Sequence, residues 1–338
     1  MTNPAKKFQA ATKKNDGSVF DFDAEVAQVW RDFPEIKNKV IFLDASHDAR
    51  LVYPEEGAEK DAIERFLKIY NPKRRLKSAF ARWGEKNSFC QPLSGNTRLL
   101  YILMEKHPYD KISPRAPLVQ ETAFVFDHEL GHAIIPGADV PTNRAECFAD
   151  AYATIRHLQR FGADSPFIGH VVNNRSFDLV FRDSWYGHAH FTGAVTEKIL
   201  DRCHDIDWNA LTPREAADLA RKFVLEHEMA SEALNMLERD FKALHKQAEK
   251  IARGDTAPLK ELAEKVLSTD SSDVFKYGTK ALALYVDRQT ADLVLQGTYW
   301  NEVRKKLAKR RKAFARYGAP SLRKMLMKKT MHPFKGQI

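Results

Sequence analysis

Residues 117–137 read PLVQETAFVFDHELGHAIIPG, and residues 142–162 read TNRAECFADAYATIRHLQRFG. Proline is favoured at the first position of a helix, and the Pro-Gly pair closes the first stretch. The second stretch begins at a Thr142 or Asn143 cap and runs to Gly162. Since only a few residues connect the two stretches, we predict two consecutive helices that fold back on each other.

The motif His128-Glu129-Leu130-Gly131-His132 lies inside the first of these helices. Histidines four residues apart project from one helix face, where both imidazoles can reach one zinc ion. The glutamate beside the first histidine can hold a water on that ion. HExxH strings also occur by chance, and the histidines would then be partly exposed residues of an ordinary helix. The clear helix boundaries favour the metal site, so we predict His128 and His132 as zinc ligands.

A third protein ligand is expected from the next helix, which offers Glu146 and, one turn later, Asp150. His132 lies near the end of its helix and Glu146 near the start of the next, so a short antiparallel connection brings both to one metal. The same pairing places Asp150 beside His128, where a carboxylate would accept the imidazole proton and orient the ring. The alternative for the two acids is a solvated face near a helix N-terminus, where the dipole favours carboxylates.

This pattern resembles the gluzincin metallopeptidases, in which HExxH is followed by ExxxD on a second helix. The match covers about 45 residues, 117–162. The resemblance implies a zincin-like fold, a zinc-bound water, Glu129 as general base and Glu146 as third ligand. Only 13 residues separate His132 from Glu146, fewer than in the thermolysin-like enzymes, which leaves Asp150 open as the direct ligand.

The expected chemistry follows from the charge of the ion. Zinc lowers the pKa of its bound water to about 7 and polarises the scissile carbonyl, and Glu129 would pass the water's proton to the leaving amine. The oxyanion also needs donors, and the stretch WYGHAH at 185–190 is the best source. We predict Tyr186, His188 or His190 in this role, although no spacing selects among them. The two histidines could instead form a second metal pair or be ordinary polar residues.

Two patterns indicate the rest of the fold. Residues 40–43 and 99–104 are short apolar runs typical of strands. Beyond residue 205 the pattern is helical, and a capping box at 212–215 starts an apolar spacing that persists to about residue 251, which predicts the longest helix. Further helices are predicted at 22–32, 58–70, 257–267, 272–286, 289–316 and 320–329.

We therefore expect an α+β, predominantly helical protein in three parts. Residues 1–18 are expected to be flexible. Residues 19–208 are expected to form a zincin-like metallopeptidase domain with a small sheet and the HExxH helix. Residues 209–338 are expected to form an all-helical C-terminal region. The 338 residues, 43% of them hydrophobic, suffice for the core that this division requires.

Composition also bears on the compartment. No run approaches the roughly 20 apolar residues of a membrane span, and residues 1–20 lack the apolar stretch of a secretory signal. Three widely spaced cysteines do not suggest a disulfide framework. We expect a cytoplasmic protein that is not transmembrane, although export as an effector without a cleaved signal would leave no recognisable trace.

The net charge of +9 is concentrated at the C-terminus. Residues 302–338 hold 13 Lys or Arg and one acid, whereas the preceding 301 residues hold 41 basic and 44 acidic side chains. This basic tail is either a solvated helix surface or a site of weak, non-specific contact with nucleic acid or another anionic surface.

The sequence thus predicts a metallopeptidase that holds one Zn²⁺ and acts on a protein or peptide substrate. The alternative is a regulatory or nucleic-acid-associated module, in which a metallopeptidase-like fold serves for binding and the basic tail is the working surface. Hydrolysis of a non-peptide amide by the same site is a third option.

Overall fold

The computed structural model describes residues 20–37, 39–44, 50–52, 88–92, 98–102, 117–134, 142–176, 188–247, 250–251, 255 and 257–291. Its helices are α1 (Phe22–Asp32), α2 (Leu118–Ile134), α3 (Asn143–Phe161), α4 (Pro166–Arg175), α5 (Gly193–Asp201), α6 (Pro213–His227), α7 (Ser231–His245), α8 (Ala257–Ser268) and α9 (Ser272–Ala291). Its strands are β1 (Val40–Asp44), β2 (Arg50–Val52), β3 (Phe89–Pro92) and β4 (Arg98–Ile102). The described part of the chain is therefore predominantly helical with a small sheet, which confirms the predicted α+β composition.

The sheet has the strand order β2-β1-β4-β3 within the described residues. Strands β1 and β4 run parallel, with Phe42 opposite Leu100, and the two outer strands pair antiparallel to them. Residues 40–43 are all buried, as expected for a continuous apolar run in a strand covered on both faces. The predicted strands at 40–43 and 99–104 are confirmed as β1 and β4.

Helices α2 and α3 form the centre of the first hydrophobic core. Phe126 of α2 packs against the rings of Phe22 and Phe42, and Tyr152 of α3 is almost fully buried in the same cluster. Helix α2 also contacts β3 and β4, while α3 contacts α6. The HExxH helix is thus held between the sheet and the following helix.

Local capping explains where several helices begin and end. The Thr142 side chain accepts a hydrogen bond from the Ala145 N–H, and Gly162 follows α3 with a φ of 84°, a conformation that favours glycine. Thr212 and Glu215 form the predicted capping box at the start of α6. The predicted boundaries of α1, α2 and α3 agree with the structure to within a residue or two.

The prediction of one long helix from the capping box to about residue 251 is wrong. Helix α6 ends at His227, and α7 begins at Ser231 after extended backbone at Glu228. Neither proline nor glycine marks this break. At the break, the Glu228 carboxylate accepts two hydrogen bonds from the Arg144 guanidinium of α3.

The chain divides into two compact units. The first comprises residues 1–174 with 194–228, and the second comprises residues 175–193 with 229–338. This differs from the expected single division near residue 208, because Ala216, Ala220 and Phe223 of α6 are buried in the core of the first unit.

Several predictions concern residues outside the described ranges. They are the flexible segment 1–18, the helix at 58–70, the helical pattern beyond residue 291, and the basic tail at 302–338.

Separate helices were predicted at 272–286 and 289–316, but helix α9 continues through the expected break between them to Ala291. Among the described helices, none is both long and apolar enough to cross a membrane.

Candidate metal centre

Helices α2 and α3 bring the predicted ligands together. His128 and His132 lie in the last two turns of α2, and Glu146 lies in the first turn of α3. The Nε2 atom of His128 is 3.4 Å from Glu146 Oε2, and the Nε2 atom of His132 is 3.5 Å from Glu146 Oε1. The three side chains each offer a ligand atom, and all these atoms lie within 4.8 Å of one another. This group could therefore hold a metal ion.

The close approach of the two helices depends on Gly131. A Cβ atom at this position would lie 2.7 Å from the Cα of Ala149 on α3, which is closer than side chains normally come. Glycine between the two ligand histidines thus lets α2 and α3 approach until Glu146 reaches both imidazoles.

The distances between the imidazole nitrogens and the carboxylate oxygens are longer than those of ordinary hydrogen bonds. Ligands bound at about 2.0–2.2 Å in tetrahedral geometry lie roughly 3.3 Å apart. The separations of 3.4 and 3.5 Å between imidazole nitrogen and carboxylate oxygen are close to that value. An N–H···O hydrogen bond is usually near 2.9 Å. Two imidazoles and one carboxylate are also a donor set that zinc accepts, so the residues present fit the ion that the sequence predicts.

Asp150 lies at the opposite edge of the His128 ring. Its Oδ1 atom is 2.7 Å from His128 Nδ1, and the side chain is fully buried. The Asp150 backbone carbonyl also accepts a hydrogen bond from Thr154 Oγ1. The Asp150 carboxylate therefore accepts a hydrogen bond from His128 Nδ1, and the Nε2 edge of the same ring faces Glu146. Glu146, and not Asp150, belongs to the group that could hold an ion.

The electrostatic surroundings of His128 favour a cation. Burial disfavours the charged imidazole, but Asp150, Glu146 and Glu129 together raise the pKa of His128 to about 10. In the absence of a metal, the His128 imidazole holds a proton instead. A divalent ion that displaces the proton would meet the same carboxylates.

Glu129 is buried beside the two histidines, 7% exposed. Burial raises the pKa of its carboxyl group, and the imidazoles of His128 and His132 oppose that rise. The backbone N–H of Cys90 in β3 donates a hydrogen bond to the carboxylate. A carboxylate with a raised pKa, next to a possible metal-ligand set, takes up a proton more readily than an exposed carboxylate does.

Sequence reasoning did not anticipate the contribution of strands β3 and β4. Cys90 and Arg98 contact the site region from the sheet, and no motif or spacing in the sequence marks either residue. Burial raises the pKa of the Cys90 thiol to about 12, so the thiol is protonated at neutral pH and does not act as a nucleophile. Cys147 is also buried and lies outside the three-residue ligand group.

The predicted oxyanion donors belong to another part of the molecule. His188 and His190 lie in the second unit, whereas the three ligand residues and Glu129 lie in the first. His188 pairs with Glu238 at 3.8 Å, and His190 is buried. Tyr186 lies outside the described residues. The role of these three residues in oxyanion stabilisation stays a prediction.

Within the described residues, His128, His132 and Glu146 are the only group of three or more His, Cys, Asp or Glu residues whose geometry could hold an ion. The alternative of a second metal pair at His188 and His190 stays a prediction. Comparison with protein-family models, with curated proteins and with solved structures gives no match.

Proposed function

We propose that this chain is a zinc-dependent metallopeptidase with a zincin-like catalytic part. The convergence of His128, His132 and Glu146 from two consecutive helices carries the proposal, because it unites the HExxH motif with a third ligand at metal-compatible distances. The position of Asp150 behind His128 supports it further, since metal-bound histidines usually donate their second ring proton to a carboxylate or carbonyl.

In this proposal each side chain has a distinct task. His128, His132 and Glu146 hold one zinc ion. When bound, zinc lowers the pKa of a water and polarises the carbonyl of the scissile bond. Glu129 accepts the proton of the attacking water on its carboxylate and delivers it to the leaving amine. The hydrogen bond from the Cys90 N–H fixes the carboxylate during this transfer.

The experiment compares metal content and proteolysis in the same samples. Wild type, E129Q and E146A are purified as full chains, and their zinc content is measured by mass spectrometry. Each is then incubated with a cell lysate, and new protein termini are mapped. We expect about one zinc in wild type and E129Q, much less zinc in E146A, and new termini with wild type only.

E226Q is the matched control, because Glu226 is an exposed glutamate of α6 that takes no part in the ligand group. It should keep both zinc and activity. Identical termini from wild type and E129Q would contradict peptidase activity. If zinc is nevertheless bound, the same samples are tested on non-peptide amides.

The alternative is a binding module that uses the +12 charge of residues 302–338. Charge of this density attracts polyanions without base-specific contacts. A native protein that contains no metal, yet binds nucleic acid in a strongly salt-dependent way, would favour this alternative over the peptidase.

A further inference from the structure

The carbonyl of His132 has no partner within its own helix. A helical carbonyl accepts its bond from the N–H four residues later, and the fourth residue after His132 is Pro136, which has no N–H. Helix α2 also ends at Ile134, so this carbonyl belongs to the last turn. The backbone of a predicted metal ligand therefore needs a donor from elsewhere in the fold.

Arg98 of β4 supplies that donor. Its Nη1 atom donates to the His132 carbonyl oxygen at a distance of 2.6 Å. A cation is favourable there, because the C-terminal end of a helix carries partial negative charge.

The Arg98 guanidinium also lies close to Cys90, the residue of β3 next to Glu129. Against the rise that burial causes, the guanidinium lowers the pKa of the Cys90 thiol, and the Cys90 backbone lowers the pKa of Glu129, so Cys90 lies next to both groups. Cys90 pairs directly with Leu100 across β3 and β4, so its side chain emerges on the same face of the sheet as those of Leu100 and Arg98. One arginine thus contacts both a predicted metal ligand and the support of the predicted base.

We propose that Arg98 is a positioning residue of the metal centre. It fixes the last turn of α2 through the His132 carbonyl and thereby sets the His132 imidazole against Glu146. Through Cys90 it holds β3, and with it the Glu129 carboxylate, in register with the ligands. This inference rests on the proposed metal site.

The test measures zinc affinity, not turnover. Apo forms of wild type, R98M and R98K, all as full chains, are titrated with zinc against a chelator of known affinity. The absorption spectrum of each cobalt-substituted protein reports ligand geometry. We expect R98M to bind zinc about 10–100-fold more weakly, as substitutions behind metal ligands typically do. R98K keeps the charge and one donor and should recover most of that loss.

R214M is the matched control. Arg214 also donates to a backbone carbonyl, that of Asp32, but this carbonyl belongs to α1. R214M should bind zinc as wild type does and give the same cobalt spectrum. If R98M does not fold, as judged by circular dichroism, R98Q is titrated in its place, because glutamine is too short to put a donor on the His132 carbonyl.

The possible results separate this inference from the proposed function. Wild type that binds no zinc would overturn the metal site and the role of Arg98 together. Wild type that binds zinc, with R98M equal to it in affinity and cobalt spectrum, would overturn the role of Arg98 alone. A loss in R98M that R98K does not reduce would contradict the carbonyl contact as its cause.

Discussion

Two buried histidines on the paired helices α2 and α3 have pKa values shifted in opposite directions. Burial disfavours the charged form of both. At His128 this is overcome by Asp150, Glu146 and Glu129, which raise the pKa to about 10. At His157, burial and the nearby Arg160 lower the pKa to about 3. Burial alone therefore does not decide the charge of a histidine here; the neighbouring charged groups do.

The acids around the helix pair differ in the same way. The charges that offset Glu129 are the imidazoles of His128 and His132, the residues that would hold the proposed ion. Asp127, the residue before His128 on α2, is instead offset by Arg160, which also pairs with Glu25 of α1. In the proposed site the first set would bind an exchangeable metal, whereas the second set keeps a fixed cation.

The largest expected effect comes from breaking the permanent ion pairs. R160M leaves Asp127 and Glu25 without the arginine that donates to both, and a buried pair broken in this way typically costs about 3–5 kcal/mol. Urea unfolding measures the loss. Zinc bound per folded molecule should not change, because Arg160 takes no part in the ligand group.

The control is R31M, in which an exposed arginine of α1 loses only its contact to Gln28. It should alter stability by less than about 0.5 kcal/mol. An R160M protein as stable as R31M would show that the ion pairs of Arg160 do not stabilise the fold.

G131A tests the close approach of α2 and α3 beside the proposed metal ligands. The added Cβ would meet the Ala149 Cα, and overpacking of this kind costs about 1–3 kcal/mol. It should also weaken zinc binding by separating His132 from Glu146. Thermal unfolding and zinc titration measure the two effects.

G169A is the matched glycine substitution, since nothing lies within 4 Å of a Cβ built at that position of α4. It should leave zinc affinity unchanged. If G131A binds zinc as tightly as G169A, close helix contact is not required for the ligand geometry.

D150N tests whether Asp150 orients His128 while Glu146 is the direct ligand. Asparagine keeps an oxygen beside His128 Nδ1 but removes the charge, which should weaken zinc binding about 10–100-fold without abolishing it. E146Q should lose more. The reverse order in a chelator competition would make Asp150 the direct ligand, the alternative that the short spacing after HExxH left open.

The last prediction concerns pH. Because the pKa of His157 is about 3 in the folded state and 6.5 in the unfolded chain, the unfolded chain binds the proton first as pH falls. Stability is then lost between about pH 6.5 and pH 3, by at most about 1.4 kcal/mol per pH unit.

H157Q should flatten this part of the stability curve, because glutamine can still donate to Ser165 but does not titrate. Urea unfolding of wild type and H157Q at matched pH values measures the difference, and other titrating groups cancel. Parallel curves for the two proteins would contradict the low pKa of His157.

The sequence predicted the elements that carry local signals. Helix α3 begins at a side-chain cap and ends at glycine, and the HExxH spacing follows from helical geometry, so Thr142, Gly162 and the histidine pair could be read directly. Strands β2 and β3 have three and four residues, too few to show a periodic pattern. At the break after His227, Glu228 pairs with Arg144, a partner 84 residues away along the chain.

Contacts distant in sequence also explain what was missed in the site. Arg98 lies 34 residues from His132, and Glu25 lies 135 residues from Arg160. Neither partner can be identified from its own surroundings in the chain. The absence of an N–H at Pro136 was the one available signal, because it leaves the His132 carbonyl in need of an external donor.

The most direct test of the metal centre is a crystal of the full chain grown with one equivalent of zinc, with diffraction recorded on both sides of the zinc absorption edge. We predict a single anomalous peak about 2.0–2.2 Å from the Nε2 atoms of His128 and His132 and from a carboxylate oxygen of Glu146. A zinc peak held by other residues, or no peak between these three side chains, would contradict it.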